Sequence, residues 1–333
     1  MKKYNVLITT SGSVTAQGVI KGLRKQNEFD CRLITTDIIE NTPGKHISDK
    51  FYLLPNEKSD EYISSLKKIC IDEKIDVIIP IHDQELMKIA ENAQEFKDLG
   101  CTLVLSSKET IEKCNDKYKT YEFFLRNKVK TPLTYRAEEV INGIQKIDFP
   151  AFLKPAKGVS AIGTYVVESM DELRILSKKI KEPLVQTLYN GREYSVDVLC
   201  DFNSKLIGAV PRSRDARNQG ACIKGVTEKD DFIIKECRRI AEDLKIIGPA
   251  NIQCFKQNGE IIFFDVNPRF SATHAHTIMA GMNTPHLILK IISGQKVDSQ
   301  TGNFKDKLQM YRYWSEIYVD EENNLIKGDS LIN

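Results

Sequence analysis

Ile261-Ile262-Phe263-Phe264-Asp265-Val266-Asn267-Pro268-Arg269 runs from an apolar strand into a polar mouth. Strand side chains alternate between faces, so Asp265 and Asn267 share one face while Phe264 and Val266 share the other. A carboxylate and an amide then stand two strand steps apart, ~7 Å along the backbone. Pro268 cannot donate to a ladder, so the strand stops there and leaves Arg269 at its end. Hard oxygen ligands beside a guanidinium suit a Mg²⁺ ion carrying nucleotide phosphates. A strand that merely ends in a polar turn has the same composition, so the remainder of the chain must discriminate.

The chain has 333 residues, enough for two or three domains, because single cores seldom grow past ~250–300 residues. Hydrophobic residues make up 41% and charged residues 28%, the balance of a soluble globular protein. The net charge of +2 arises from 48 basic and 46 acidic side chains spread along the chain, with no basic stripe interleaved with aromatics. Nucleic acid is therefore not the expected partner. Eight cysteines without a C-x-x-C fit neither a zinc site nor a disulfide framework and read as reduced thiols. Met1-Lys2-Lys3-Tyr4 leads straight into a strand, and no apolar run is long enough for a signal peptide or a membrane span. A cytoplasmic location without membrane contact is expected.

Upstream, short apolar runs alternate with helical patterns. Strands are expected at Asn5–Thr10, Arg32–Thr36, Val77–Pro80 and Thr102–Leu105, with helices up to about Gln26, near Asp60–Asp72 and from Asp83. Such alternation implies a parallel, doubly wound sheet, an α/β fold. The turn Ser11-Gly12-Ser13 lacks the G-x-G-x-x-G spacing of a dinucleotide site. Pro80 to Glu85 lies at a strand's carboxyl end, where ligands gather, making Glu85 a candidate substrate contact. The same segment also reads as a helix start, with Asp83 as N-cap and Glu85 in the first turn.

From Lys113 the character changes. A helix around Lys117–Arg126 and a short strand at Pro132–Tyr135 precede Phe149-Pro150-Ala151-Phe152-Leu153-Lys154-Pro155. Ala156 to Gly163 is a small-residue loop whose backbone N–H groups could fold over phosphates. Leu184–Leu188 is a strand, and Gly191 to Val198 is a longer one with clean alternation. A polar insertion, Arg212–Glu228, precedes a helix reaching about Leu244. Two strands then flank Asn258-Gly259, a type I′ hairpin signal. The segment 296–333 reads as a minor appendage.

In this order the pieces resemble the ATP-grasp superfamily, close to single-module proteins similar to the carbamoyl phosphate synthase large subunit. The resemblance spans roughly Asn5 to Gly294. It rests on Asp116-Lys117, Phe149-Pro150 with Lys154-Pro155, the loop to Gly163, Gly191-x-Glu193-Tyr194, and Asp265-x-Asn267-Pro268-Arg269. It implies a Rossmann-like parallel pre-ATP-grasp domain (1–112), an α+β lid (113–190), an antiparallel catalytic sheet (191–295) and the C-terminal appendage (296–333). ATP lies between lid and sheet in this family.

Roles follow by the same resemblance. Lys117 and Lys154 match positions that hold nucleotide phosphates, with Gly158, Ser160 and Gly163 in the covering loop. Gln186 stands where family members often carry an acid near the adenine amino group, Leu188 against the base, and Glu193 on the ribose hydroxyls. Asp265, at a position usually Glu, joins Asn267 and Gln253 as ligands for one or two Mg²⁺ ions. Arg269, with Lys154, is the catalytic candidate, meeting phosphate or an acyl phosphate. Arg212, Arg214 and Lys224 fall where relatives contact phosphates or substrate. Gln253 carries a parity problem. A two-residue Asn258-Gly259 turn pairs it with Phe264, so only a bulge or a longer loop brings it to the face of Asp265.

The implied activity is an ATP- and Mg²⁺-dependent ligase that activates a small carboxylate as an acyl phosphate for attack by an amine. Alternatives are a kinase-like half-reaction on a carboxylate or carbamate, a non-catalytic nucleotide-binding regulator, and a dehydrogenase built on the first domain. No G-x-S-x-G nucleophile elbow occurs. His274 and His276 are spaced i, i+2, which does not align two ligands on a helix face. A homodimer is compatible with the resemblance.

Overall fold

Val6-Leu7-Ile8 and Val77-Ile78-Ile79 are buried throughout, as strands covered on both faces must be. In the computed structural model, which describes residues 1–158, 162–218, 221–313, 315–322 and 324–326, they are the centre of a parallel sheet. That sheet comprises β1 (Lys2–Ile8), β2 (Phe29–Asp37), β3 (Lys50–Leu53), β4 (Val77–Ile79) and β5 (Thr102–Leu103), in the order β3-β2-β1-β4-β5. Val6 and Ile8 pack on α1 (Val14–Lys25) through Val19 and Leu23, while α2 (Pro43–Ile47) follows β2. Leu7 and Ile78 pack on α3 (Glu61–Asp72), with α4 (Asp83–Glu91), α5 (Ala93–Asp98) and α6 (Lys108–Asn115) in the same layer. Ser13 caps α1 by accepting from Ala16 N at 3.2 Å. The cap of α4 is His82 rather than the expected Asp83, and the His82 amide donates to Glu85 at 2.8 Å.

The lid sheet is antiparallel, in the order β6-β9-β7-β8. Its strands are β6 (Thr134–Arg136), β7 (Ala151–Pro155), β8 (Tyr165–Val167) and β9 (Pro183–Thr187). The helices that cover it come later than α7 (Lys117–Arg126); they are α8 (Ala137–Ile141) and α9 (Met170–Ser177). Ala151, Leu153, Val167 and Val185 meet Val140 and Leu173 in a small core of their own. The expected lid boundary differs from the observed packing. Cys114, at the end of α6, joins Phe124 and Val129 in the core of the next sheet, so α7 belongs to that layer and the lid begins near Thr134.

The third sheet runs β11-β10-β14-β15, built from β10 (Arg192–Cys200), β11 (Leu206–Ser213), β14 (Gly248–Gln257) and β15 (Glu260–Asn267). One face presents Tyr194, Val196, Val198, Ile252, Cys254, Phe263 and Val266 to α10 (Asp231–Asp243). The stretch expected as a polar insertion carries strand over most of its described residues. Arg212 lies within β11, and β12 (Ala216–Asn218) pairs with β13 (Ala221–Val226). Nor is the C-terminal segment an appendage. Phe304 is buried in the main core, and β16 (Gln309–Tyr311) completes a sheet with β13. The helices α11 (His274–Met279) and α12 (Thr284–Ile292) return to the first domain, where Ile288 and Leu289 share a core with Val19.

Candidate active site

Antiparallel neighbours opposite one another share a face, so the register of the third sheet aligns its polar side chains in rows. One row is Arg212, Ser195, Gln253 and Asp265; the next contains Asp197, Asn251 and Asn267. The parity problem of Gln253 is resolved by a β-bulge. Gln253 pairs with Asp265 while Cys254 pairs with Phe263, which leaves Phe264 as the extra residue. Asn258 and Gly259 adopt the positive φ values of the expected tight turn, +52° and +80°. The freed Phe264 stacks on Phe255 at 4.4 Å, and Tyr189 continues the column at 6.4 Å from Phe255. These three rings border the linker that carries Leu188, a feature the sequence reading overlooked.

The metal candidates therefore converge. Asn267 Nδ2 lies 2.9 Å from Asp265 Oδ2, and Gln253, with its amide turned to satisfy its neighbours, places nitrogen 3.3 Å from the same carboxylate. Its oxygen then accepts from Arg214 at 3.2 Å. Among the described residues no cluster of three His, Cys, Asp or Glu side chains could hold an ion. Asp265 offers its carboxylate as it stands, and the two amides would join it on a single Mg²⁺ by turning their oxygens from Arg214 and Arg269, the ion taking its other ligands from phosphate and water.

Lys154, on the lid strand β7, is 6% exposed and makes no ion pair among the described residues. Burial depresses its ammonium to about 8; Asp265 opposes that shift, and Lys117 adds to it. A buried cation without a bound counter-charge is a strong attractor for phosphate. Lys117 Nζ donates to Gly158 O at 2.9 Å, tying the lid loop to the start of α7. Gly163 adopts φ +73°, a conformation that favours glycine, whereas Ser160 lies outside the described residues.

Glu193 is buried and held by two guanidiniums, Arg214 at one oxygen and Arg217 at the other, the latter at 2.7 Å. Gln186 is buried on β9 and Leu188 follows the strand half-buried. Arg269 forms a two-pronged ion pair with Asp83, Nε to Oδ1 and Nη2 to Oδ2 both at 3.0 Å, and Nη2 also reaches Asn267 Oδ1 at 3.3 Å. The mouth of β15 is thus locked to the start of α4 in the first domain.

Two of the substrate candidates are structural. Arg212 is buried against Asp197 at 2.7 Å and Ser271 at 2.9 Å, and it also meets Thr273. Asp197 completes its shell with Thr277 at 2.6 Å and Asn251. Burial would raise its carboxyl, but Arg212, Thr277 and Ser271 outweigh that and hold it below the usual range. Glu85 is equally committed, accepting from Tyr62, Thr9, Ile81 N and His82 N. Lys224 diverges from the other cations and sits exposed over the Tyr311 ring at 5.6 Å. Of that trio Arg214 is the one that reaches a metal candidate, donating to Gln253. Asp83, Asp197 and Arg217 were not singled out as site residues from sequence. The alternation Glu193-x-Ser195-x-Asp197 was the one local signal for Asp197.

A parallel domain, a small antiparallel lid and an antiparallel sheet, with Asp265, Asn267 and the buried Lys154 on the last two, is the architecture of ATP-grasp proteins. The proteins it resembles are of that superfamily. Residues 179–314 match the family described as "ATP-grasp in the biosynthetic pathway with Ter operon", and residues 6–104 match "PylC-like, N-terminal domain". Among curated proteins it is 24% identical to the carbamoyl phosphate synthase large chain of Lachnoclostridium phytofermentans, over 79% of this chain and 26% of that one. It is also 24% identical to carbamoyl-phosphate synthase of Methanobrevibacter smithii, over 86% and 80% respectively. The chain thus spans about a quarter of the length of the large chains it matches. Among solved structures, biotin carboxylase of Campylobacter jejuni superposes with a TM-score of 0.73 at 15% identity, covering 91% of this chain and 74% of that one. N5-carboxyaminoimidazole synthetase of Staphylococcus aureus gives 0.70 at 15%, covering 90% and 80%. L-amino acid ligase of Bacillus licheniformis gives 0.68 at 16%, covering 87% and 74%. Among the described residues no helix is long and apolar enough to cross a membrane.

Proposed function

We propose that this protein is an ATP-dependent ligase joining a small carboxylate to an amine. The observation that carries the reading is Lys154, a buried, unpaired ammonium aligned with the Asp265 row and flanked by Lys117. No described residue forms an ion pair with it, although Asp265 acts on it at longer range, and a nucleotide phosphate would pair with it directly. Names of several relatives, among them carbamoyl phosphate synthase and L-amino acid ligase, support the same class of chemistry.

In this reading the substrate carboxylate attacks the γ-phosphate of ATP, forming an acyl phosphate and releasing ADP. The amine then attacks the acyl carbon, an amide bond forms, phosphate leaves and the ammonium protons pass to solvent. Lys154 and Lys117 hold the phosphates. Arg269, oriented by Asp83, stands where charge develops on the acyl phosphate, so the protein contributes mainly positioning and charge stabilisation. Asp265, Asn267 and Gln253 would hold Mg²⁺, which when bound supplies neutralisation of the phosphate oxygens. The lid sheet excludes water that would hydrolyse the intermediate.

The test is ADP release with Mg·ATP across amino acids, other carboxylates and bicarbonate, each with and without an amine, beside an Asp265→Ala variant. Turnover that needs both partners and is lost in the variant supports the ligase. Turnover with carboxylate alone identifies a kinase-like half-reaction instead. Tight ATP binding without ADP release in any combination points to a regulator.

A further inference from the structure

We propose that Gln186 opens the nucleotide site to 6-oxo purines, so that inosine nucleotides bind there and serve as phosphoryl donors beside ATP. The donor role rests on the ligase reading above; the selection of the base does not.

Gln186 shares the lid face of Lys154. Phe152 pairs with Gln186 and Lys154 with Leu184, and antiparallel neighbours opposite one another share a face. The other face of the lid is its small core of Ala151, Leu153, Val167 and Val185. Gln186 is 4% exposed, yet among the described residues its amide has no hydrogen-bond partner. Its cross-strand neighbours do not hold it. Phe152 is apolar, and Thr134 donates its hydroxyl to Pro132 O at 3.0 Å. Buried amides are ordinarily paired, so this one points to a ligand, as Lys154 does.

The third sheet shows which end of that ligand Gln186 meets. Phe255 lies two residues from Gln253 and so on the same face, stacked with Phe264 and Tyr189. Tyr189 is three residues beyond Gln186, whereas Lys154 pairs two residues before it, at Leu184. Phosphates at Lys154 and Asp265 therefore leave the flat end of a nucleotide at the rings and Gln186.

The chemistry of the amide then decides the base. Oriented one way, it accepts from a 6-amino group and donates to a bare N1, the edge of adenine. Turned over, it donates to a 6-oxo group and accepts from N1–H, the edge of hypoxanthine. No contact among the described residues fixes either orientation, so turning breaks no bond of the protein. A carboxylate at this position, being an acceptor only, would repel the 6-oxo oxygen. Transfer from either triphosphate breaks the same bond between the γ-phosphorus and its bridging oxygen. The phosphorus joins the carboxylate oxygen, and the matching diphosphate leaves with the electron pair.

The test measures binding of MgADP and MgIDP to the full chain by calorimetry at pH 8, with magnesium pyrophosphate as the ligand without a base. The variants are Gln186→Glu and Gln186→Leu. Wild-type affinities for the two diphosphates are expected within about 10-fold of each other. Gln186→Glu should weaken MgIDP about 10- to 100-fold more than MgADP. Gln186→Leu should weaken both alike, by about 3- to 10-fold, with pyrophosphate unchanged in each variant. A wild-type preference for MgADP beyond about 10-fold, or a ratio that Gln186→Glu leaves unmoved, overturns the proposal. If Gln186→Glu fails to fold, seen as lost pyrophosphate binding, unchanged nucleotide affinity in Gln186→Leu overturns it instead. Matched binding of both diphosphates, with no phosphate transferred to any carboxylate, keeps the base assignment and removes the ligase reading. Ligase turnover with ATP but not with inosine triphosphate does the reverse.

Discussion

Replacing Lys154 by Met should make the protein more stable and much less active. The ammonium is buried on β7 without an ion pair among the described residues, and burial lowers it from 10.5 to about 8. A depression of that size corresponds to about 3 kcal/mol of penalty for carrying the charge in the fold at neutral pH. Methionine has similar length and no charge, so Lys154→Met should recover part of that penalty, up to about 3 kcal/mol, because apolar isosteres of poorly compensated buried charges stabilise. At about 2–4 °C per kcal/mol the unfolding midpoint should rise by several degrees. The pH dependence has a fixed sign. Between about 8 and 10.5 the unfolded chain binds more protons at this site than the folded one, so wild-type stability rises with pH there. The advantage of the variant should therefore shrink from pH 7.5 to pH 10. Activity moves the opposite way: loss of a preorganised phosphate contact should lower ATP turnover about 10²–10³-fold. Wild-type nucleotide affinity should also fall as pH rises past about 8, a trend absent from the variant. Calorimetric melts at pH 7.5 and 10, with ADP release at pH 7.5, decide it. A lowered melting temperature, or turnover within a factor of about 3 of wild type, refutes the argument.

Three further outcomes are expected. Gly18→Ala lies in a helix, where alanine normally gains about 1 kcal/mol, yet its Cβ would fall 2.5 Å from His274 Cε1; urea denaturation should show net destabilisation, and a gain would contradict the packing. Arg212→Met leaves Asp197 buried without its 2.7 Å partner and should cost about 3–5 kcal/mol, with part recovered by adding Asp197→Asn; a loss below about 1 kcal/mol in the single variant counts against the pair's role. His274 and His276 are pushed down by burial from 6.5 to about 4, so the unfolded chain takes up protons there first and stability should fall as pH drops from about 6.5 to 4. A urea midpoint that stays flat across that window would refute neutral, buried histidines.

Much of the architecture is written in local periods. Alternation through Glu193-x-Ser195-x-Asp197 and Asp265-x-Asn267 assigns side chains to faces, and the strand–helix rhythm up to Leu105 dictates a parallel sheet. Lys154, Asp265 and Asn267 stand out in the sequence because each ends or follows an apolar run. Reading failed where polarity stood in for exposure. The stretch from Arg212 looks like a solvated loop, but Arg212 is buried because Asp197, fifteen residues earlier, neutralises it across the β10–β11 pair.

Tertiary structure alone decided the rest. The bulge at Phe264 shifts one strand by a single residue, and only that shift aligns Gln253 with Asp265 instead of turning it to the other face. Arg269 is oriented by Asp83, 186 residues away in sequence, and a first-domain cleft draws its walls from the ends of four separate strands. Period and propensity act over a few residues and so are visible in sequence. Register, ion pairing and cavities depend on which distant segments packing brings together, and no local pattern records that choice.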